Sequence, residues 1–294
     1  HIKQKFLGFD FSMPLWISSM TGGTEKAKHI NKNLAKACAE FKIGMGLGSC
    51  RPLLESDDRF DDFNVKSLMG SAPLFANLGI AQLEELIENS DLKKLTELIK
   101  KLDADGLVIH VNPLQEWAQP EGDRYKKSAI ETIQTICDFI SLPIIVKEVG
   151  QGMGPKSLEA LLDTSVSAIE LAGYGGTNFS LLEMRRSQGN TPDIESSGDA
   201  FSYVGHTSEQ MIDYLNDLNS QKTTDIEVII SGGVKDPVTG HILKEKLELN
   251  SIVGMASNVL KYALKDYSEL QAYLIDVRES FSMAKCFLIK EDAS

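Results

Sequence analysis

The stretch GLVIHVNPLQEWAQPEGD, residues 106–123, joins two kinds of sequence that seldom adjoin. Gly106, Leu107, Val108 and Ile109 read as a buried strand, yet His110, Asn112, Gln115 and Glu116 follow at once, and each loses hydration at a cost if it is buried. The conflict disappears if the carboxyl end of the strand opens on a site, because α/β barrels build their sites from strand carboxyl ends and the loops that follow.

Outward from this segment, short apolar runs rich in β-branched residues recur: PLWISSM (14–20), IGMGLGS (43–49), PLFANLG (73–79), PIIVKEV (143–149), AIELAG (168–173), VIISGG (228–233) and SIVGMA (251–256). With the strand at 106 they make about eight. Amphipathic segments lie between them, among them residues 24–41, where Thr24 or a preceding glycine can cap a helix and Ala27, Ile30, Leu34, Ala37 and Phe41 form one apolar stripe. Repeated strand–helix units with this count predict one closed (β/α)8 barrel of the TIM (triosephosphate isomerase) type over residues 1–294, with a doubly wound open sheet as the alternative. Residues 189–207, rich in Ser, Gly, Asn and Asp, read as one long loop at the functional end.

Composition narrows the partners. Forty-two acidic against 30 basic residues leave a net charge of −12, which argues against nucleic acid and anionic membrane surfaces. No apolar run is long enough to cross a bilayer. Cys38, Cys50, Cys137 and Cys286 show neither zinc spacing nor disulfide density, so a reducing, cytoplasmic setting is expected.

Every strand end offers ligand-bonding groups: Ser18 to Gly23, Ser49-Cys50-Arg51, Asn77, the 110–116 cluster, Lys147-Glu148, Gly173 to Asn178, Ser231-Gly232-Gly233 and Gly254-Met255-Ala256. The glycine-containing ends at 231–233 and 254–256 stand where barrels bind phosphate through backbone N–H groups, and Thr177 adds a third contact. Lys147 ends an apolar strand, so its charge needs an anion or an electron-rich ring, or an escape to solvent at the rim. Glu116 suits Mg²⁺, which takes one or two carboxylates and otherwise keeps waters and substrate phosphates. Residues 120–123 read as a charged turn with Asp123 capping the next helix, and Cys50 reads as a buried thiol without a base.

Together, MTGGTEKAKHINKNLA, GLGSCR, ANLG, IHVNPLQEWAQPEGDR, PIIVKEVGQGM, GYGGTNFSLLEMRR, SGGV and VGMA, in this order over about residues 14–260, resemble the type 2 isopentenyl-diphosphate isomerases. The resemblance implies a barrel that holds FMN and converts isopentenyl diphosphate to dimethylallyl diphosphate with no net redox change, the flavin being reduced by NAD(P)H and the diphosphate neutralised by Mg²⁺. It implies that Ser19, Met20, Thr21, Ser49, Asn77 and Lys147 line the flavin ring, and that Thr177, Gly232, Gly233, Val234, Ala256 and Ser257 hold its phosphate. His110, Asn112 and Gln115 would face the substrate, with His110 and Gln115 catalytic, Glu116 on the metal and Arg51 on the diphosphate. A homo-oligomer, tetramer or octamer, is implied as well. The family's basic, His-containing amino-terminal segment has no counterpart before Phe6, Cys50 stands where Gln or Met is common, and Gly205-His206-Thr207-Ser208 and Ser257 also depart from its pattern. Alternatives are another FMN barrel oxidoreductase, acting on a hydroxy acid or a phosphorylated substrate, and a non-catalytic flavin-binding relative.

Overall fold

The computed structural model describes residues 2–20, 26–119, 122–187 and 199–288. Two short strands come first, β1 (Gln4–Phe6) and β2 (Phe9–Phe11), and the eight apolar runs follow as β3 (Leu15–Ile17), β4 (Gly44–Gly46), β5 (Leu74–Gly79), β6 (Gly106–His110), β7 (Ile144–Lys147), β8 (Ala168–Glu170), β9 (Glu227–Ile230) and β10 (Ser251–Met255). β3 to β10 pair in parallel around a closed ring, sealed where β10 meets β3 with Val253 beside Leu15 and Met255 beside Ile17. That closure excludes the open sheet. No helix among the described residues is long and apolar enough to cross a membrane.

The barrel interior is filled by matching large residues with small ones on the neighbouring strand. Trp16 and Phe75 are fully buried, with ring centroids 5.3 Å apart and planes at 88°. Gly44 pairs in register with Trp16 and Gly106 with Phe75. A Cβ on either glycine would lie 2.3 Å from the partner ring, so the rings occupy the space a side chain would need. The Ala27–Phe41 helix buries the predicted stripe, but the residue at its N-cap position is Lys26, with no side-chain cap bond; Thr24 lies outside the described residues.

The strand periodicity did not reveal the β1–β2 hairpin. Its two-residue turn has positive φ at both Leu7 (48°) and Gly8 (82°), the geometry that matches the twist of a hairpin. It packs Phe6 and Phe11 into the core, with Phe11 reaching Trp16, and so plugs the amino-terminal end of the barrel. Glu227 ties it down: Oε1 accepts from the Leu7 N–H at 2.9 Å and Oε2 from Asn250 Nδ2 at 2.6 Å. Glu227→Ala should therefore cost about 1 kcal/mol, since it leaves the part-buried Leu7 N–H without its acceptor, while the exposed Asn250 amide keeps the Lys5 carbonyl. Urea unfolding reads this directly, and a loss below about 0.5 kcal/mol would show that the plug holds without the tie.

Candidate active site

β5 to β8 carry one row of residues at their carboxyl ends: Gly79 pairs with His110, His110 with Lys147, and Lys147 with Glu170. Register partners in parallel strands project to the same side, so three ionisable residues meet at the mouth of the barrel.

His110 Nδ1 lies 2.8 Å from Asn77 Oδ1, while Asn77 Nδ2 donates to the Leu47 carbonyl at 2.9 Å. The Asn77 oxygen can only accept, so Nδ1 carries the hydrogen and the Nε2 lone pair is left as an acceptor. Burial, reinforced by the Lys147 charge, pushes the ring down from its ordinary value near 6.5 to about 4. His110 is thus neutral at physiological pH. The unfolded chain takes a proton on this ring below about pH 6.5 and the folded chain only near pH 4. The preference for the neutral ring therefore stabilises the fold fully above pH 6.5 and is lost as pH falls toward 4, by about 3 kcal/mol in all. Urea unfolding at a series of pH values should show this slope in the wild type and not in His110→Gln, and ring NMR should show a midpoint near 4. A midpoint at or above 6 would overturn the assignment.

Lys147 does not escape to solvent. It is buried, and its Nζ donates to the Glu148 carbonyl at 2.7 Å. The Glu148 carboxylate accepts from the backbone N–H groups of Gly150 (2.6 Å), Gln151 (2.6 Å) and Gly152 (2.9 Å). Burial raises its pKa while those three donors pull it down, and the result is a fixed loop after β7. This shaping role was not read from the sequence. Its signal is a glutamate followed at two and four residues by glycines, which take φ of 133° and 70° here and turn successive N–H groups inward.

The polar run after β6 folds as a short helix, Pro113–Ala118, with Asn112 at its N-cap position and Pro113 opening the first turn. Helical spacing then sets Asn112, Gln115 and Glu116 on one face. Asn112 Nδ2 donates to Glu116 Oε1 at 2.9 Å and to Gln115 Oε1 at 3.3 Å. Tyr125, also missed in the sequence, fixes the orientation of that amide: its hydroxyl donates to Asn112 Oδ1 at 3.0 Å and accepts from the Asn112 N–H at 3.3 Å. Burial raises the Tyr125 hydroxyl, so it remains a donor. The second Glu116 oxygen accepts from the Asp123 N–H at 2.9 Å.

Asp123 is not a helix cap. The helix Ala129–Phe139 starts from Ser128, and the Asp123 carboxylate instead accepts from Gln82 Nε2 at 3.0 Å and Arg51 Nη1 at 3.4 Å. Arg51 is thereby brought to the 110–125 segment. Pro120 and Glu121 of the expected charged turn lie outside the described residues, as does Thr21. Cys50 is buried, and burial pushes its thiol up to about 12, which leaves it inert.

The remaining site residues form a second wall. A Cβ on Gly176 would approach the Gly233 N–H nitrogen to 3.1 Å, so the 175–177 and 232–233 backbones lie against each other. Ser208 Oγ donates to the carbonyls of Ser231 and Gly232, both at 2.7 Å, which turns that strand end away and leaves Gly233 and Val234 half-buried at the rim. Thr177 is exposed, and Ala256 precedes the helix Ser257–Ala263, whose start has no side-chain cap. Thr207, in the segment that departs from the family pattern, closes a capping box with Gln210 on the helix Ser208–Gln221.

Ser49 and Met20 are half-buried near the mouth. The Ser18 and Ser19 hydroxyls are buried and without hydrogen-bond partners, Ser18 against Gly254 and Ser19 against Gly46. Buried orphan hydroxyls beside backbone stripped of Cβ atoms fit a ligand with a polar edge. Cavities of about 440 and 580 Å³ lie elsewhere, one under the barrel floor beside Leu7 and Glu227 and one between Ile2 and Arg278, and neither includes a residue from the carboxyl end of a barrel strand. Among the described residues no three His, Cys, Asp or Glu side chains converge to hold a metal ion alone.

No family model matches the chain. In three dimensions it is similar to a flavocytochrome b2 with pyruvate bound (14% identity, TM-score 0.65, 98% of this chain and 68% of that one) and to a lactate oxidase of Pediococcus acidilactici (13%, 0.64, 97% and 74%). A mandelate oxidase carrying an FMN adduct matches at 13% identity and TM-score 0.62, over 97% of this chain and 78% of that one. At this identity these likenesses establish the barrel. In sequence, the chain is 36% identical over 259 residues to the isopentenyl-diphosphate delta-isomerase of Rickettsia africae, covering 88% of this chain and 72% of the relative. The enzyme of the same name from Borreliella afzelii is 36% identical over 261 residues, with coverages of 88% and 69%. With the strand-end residues gathered around one barrel mouth and this likeness spanning most of both chains, the protein belongs to the isopentenyl-diphosphate delta-isomerase family.

Proposed function

We propose that the protein interconverts isopentenyl and dimethylallyl diphosphate with FMN in the barrel mouth, reduced by NAD(P)H, and with one Mg²⁺ on the diphosphate. The observation that carries this reading is the single face formed by Asn112, Gln115 and Glu116, beside the neutral His110 and the buried Lys147. Reduced FMN, when bound, supplies the proton-donating and proton-accepting site at the substrate carbons that a double-bond shift needs.

The chain's own residues do the rest. Ser18, Ser19, Asn77 and Lys147 line the position of the flavin ring, where the orphan hydroxyls gain partners and the lysine offsets negative charge. Gly232, Gly233, Val234, Ala256, Ser257 and Thr177 hold its phosphate through backbone N–H groups where their side chains are small. Glu116 contributes the one carboxylate that Mg²⁺ commonly requires, and Arg51 binds the diphosphate. Gln115 and His110 face the carbon skeleton, with His110 acting as a hydrogen-bond acceptor through Nε2. Second copies of the chain complete a homo-oligomer.

Anaerobic incubation with FMN, NADPH, Mg²⁺ and isopentenyl diphosphate tests this. Dimethylallyl diphosphate should form only with reduced flavin present, and a chain that binds FMN yet yields no product would overturn the reading.

A further inference from the structure

We propose that Asp123 is a positioning residue that holds the Arg51 guanidinium and the Glu116 carboxylate in the arrangement needed by a metal-bound diphosphate; the inference rests on the function proposed above. Three bonds converge on it. Its carboxylate Oδ2 accepts from Gln82 Nε2 at 3.0 Å and from Arg51 Nη1 at 3.4 Å, and its backbone N–H donates to Glu116 Oε2 at 2.9 Å. Gln82 is buried on the helix Ile80–Glu88, so it anchors the carboxylate to the barrel wall. Arg124 fastens the same segment from its other side, its Nη1 donating to the Glu116 carbonyl at 2.8 Å. One residue therefore joins the loop after β4, the helix after β5 and the helix after β6.

Stability does not explain this junction. The Arg51 and Asp123 side chains are 52% and 37% exposed, and ion pairs that open to water contribute little to folding. Orientation does. Arginine loses considerable rotamer freedom when an anion fixes it, and a partner that already restrains it lowers that cost at binding. The carboxylate of Asp123 reaches Arg51 through a single contact, which leaves the other guanidinium N–H groups for a phosphoryl oxygen. Its main-chain N–H occupies one Glu116 oxygen while Asn112 occupies the other, so the carboxylate cannot swing. Outer partners of this kind, which orient a ligating group without touching the ligand, commonly change affinity by about 10- to 100-fold when removed.

Asp123→Asn is the informative variant, because it keeps an acceptor for Gln82 and the backbone N–H to Glu116 and removes only the charge that restrains Arg51. Two measurements on the FMN-loaded full chain test the inference: steady-state kinetics with isopentenyl diphosphate, and calorimetric binding of inorganic pyrophosphate with Mg²⁺. KM should rise by about tenfold with a much smaller change in kcat, pyrophosphate binding should weaken by about the same factor, and FMN content should not change. In the double variant with Arg51→Ala the loss should be no greater than in Arg51→Ala alone, a coupling that a purely structural role would not produce. Pyrophosphate binding in Asp123→Asn within twofold of wild type, tighter binding, or additive losses in the double variant would overturn the assignment. A wild type that binds pyrophosphate but makes no product would sink the proposed function instead, and the binding cycle would still judge Asp123.

Discussion

Glu116→Ala is expected to lower kcat/KM for isopentenyl diphosphate by about three orders of magnitude, equivalent to about 4 kcal/mol of lost transition-state stabilisation. No group of three acidic, His or Cys side chains gathers a metal among the described residues; under the proposed function Glu116 supplies the single carboxylate to a Mg²⁺ that the substrate phosphates also bind. Glu116 is already oriented for this, each of its oxygens accepting one hydrogen bond, from Asn112 and from the Asp123 N–H, and each retaining a lone pair. Removing the carboxylate leaves the diphosphate charge unscreened and deprives Asn112 Nδ2 of its nearer acceptor. FMN content should stay close to wild type, because the residue lies outside the glycine wall, while stability should fall by about 1–2 kcal/mol, because the part-buried Asn112 Nδ2 and Asp123 N–H lose this acceptor. Glu116→Asp, whose carboxylate sits one methylene back, should recover part of the loss at raised Mg²⁺. Turnover in Glu116→Ala within tenfold of wild type would exclude it as the metal-binding residue.

Gly232→Ala should destabilise the chain by about 3 kcal/mol or more and release bound FMN, because two costs combine at this position. Its φ is 86°, a left-handed conformation that costs an L side chain about 1–2 kcal/mol. The added Cβ would also lie 2.0 Å from the Gly173 nitrogen and 2.2 Å from the Gly173 oxygen, atoms of the adjoining strand end that cannot rotate away. Gly173 already donates its N–H to the Ser231 carbonyl at 2.9 Å, so relief of the clash would break the contact that aligns β8 with β9. Gly70→Ala is the matched control: φ is again positive, 58°, but nothing lies within 4 Å of the new carbon, so only the conformational cost of about 1 kcal/mol should appear. Equal losses in the two variants, measured by denaturant unfolding, would refute the close approach at Gly232.

The barrel and most of its mouth were legible along the chain for a local reason. A strand buried on both faces needs an unbroken apolar run, and the run must stop where the backbone meets the site, so GLVI ending at His110 and IIV ending at Lys147 announce both an element and its functional end. Helical spacing likewise makes Asn112, Gln115 and Glu116 readable as one face. Asp123 was misread because an acidic residue after a turn and before an amphipathic segment has the local look of a cap, and the actual cap position, Ser128, offers the same kind of side chain five residues on. The β1–β2 hairpin escaped because its strands have three residues each, too few for period-two alternation to be distinguished from chance.

Sequence alone was sufficient for the eight-unit barrel, the polar strand ends and the family, since each depends on residue type and on spacing within a few positions. Closure was needed for the pairings that give those residues their chemistry. His110 meets Asn77 across 33 positions, Gln82 meets Asp123 across 41, and Arg51 meets Asp123 across 72. The tautomer of His110, the burial that keeps it neutral and the junction at Asp123 all follow from which strand ends lie side by side. That adjacency belongs to the ring of strands as a whole, because hydrogen-bond direction and desolvation are set by neighbours in space that no local pattern of side chains encodes.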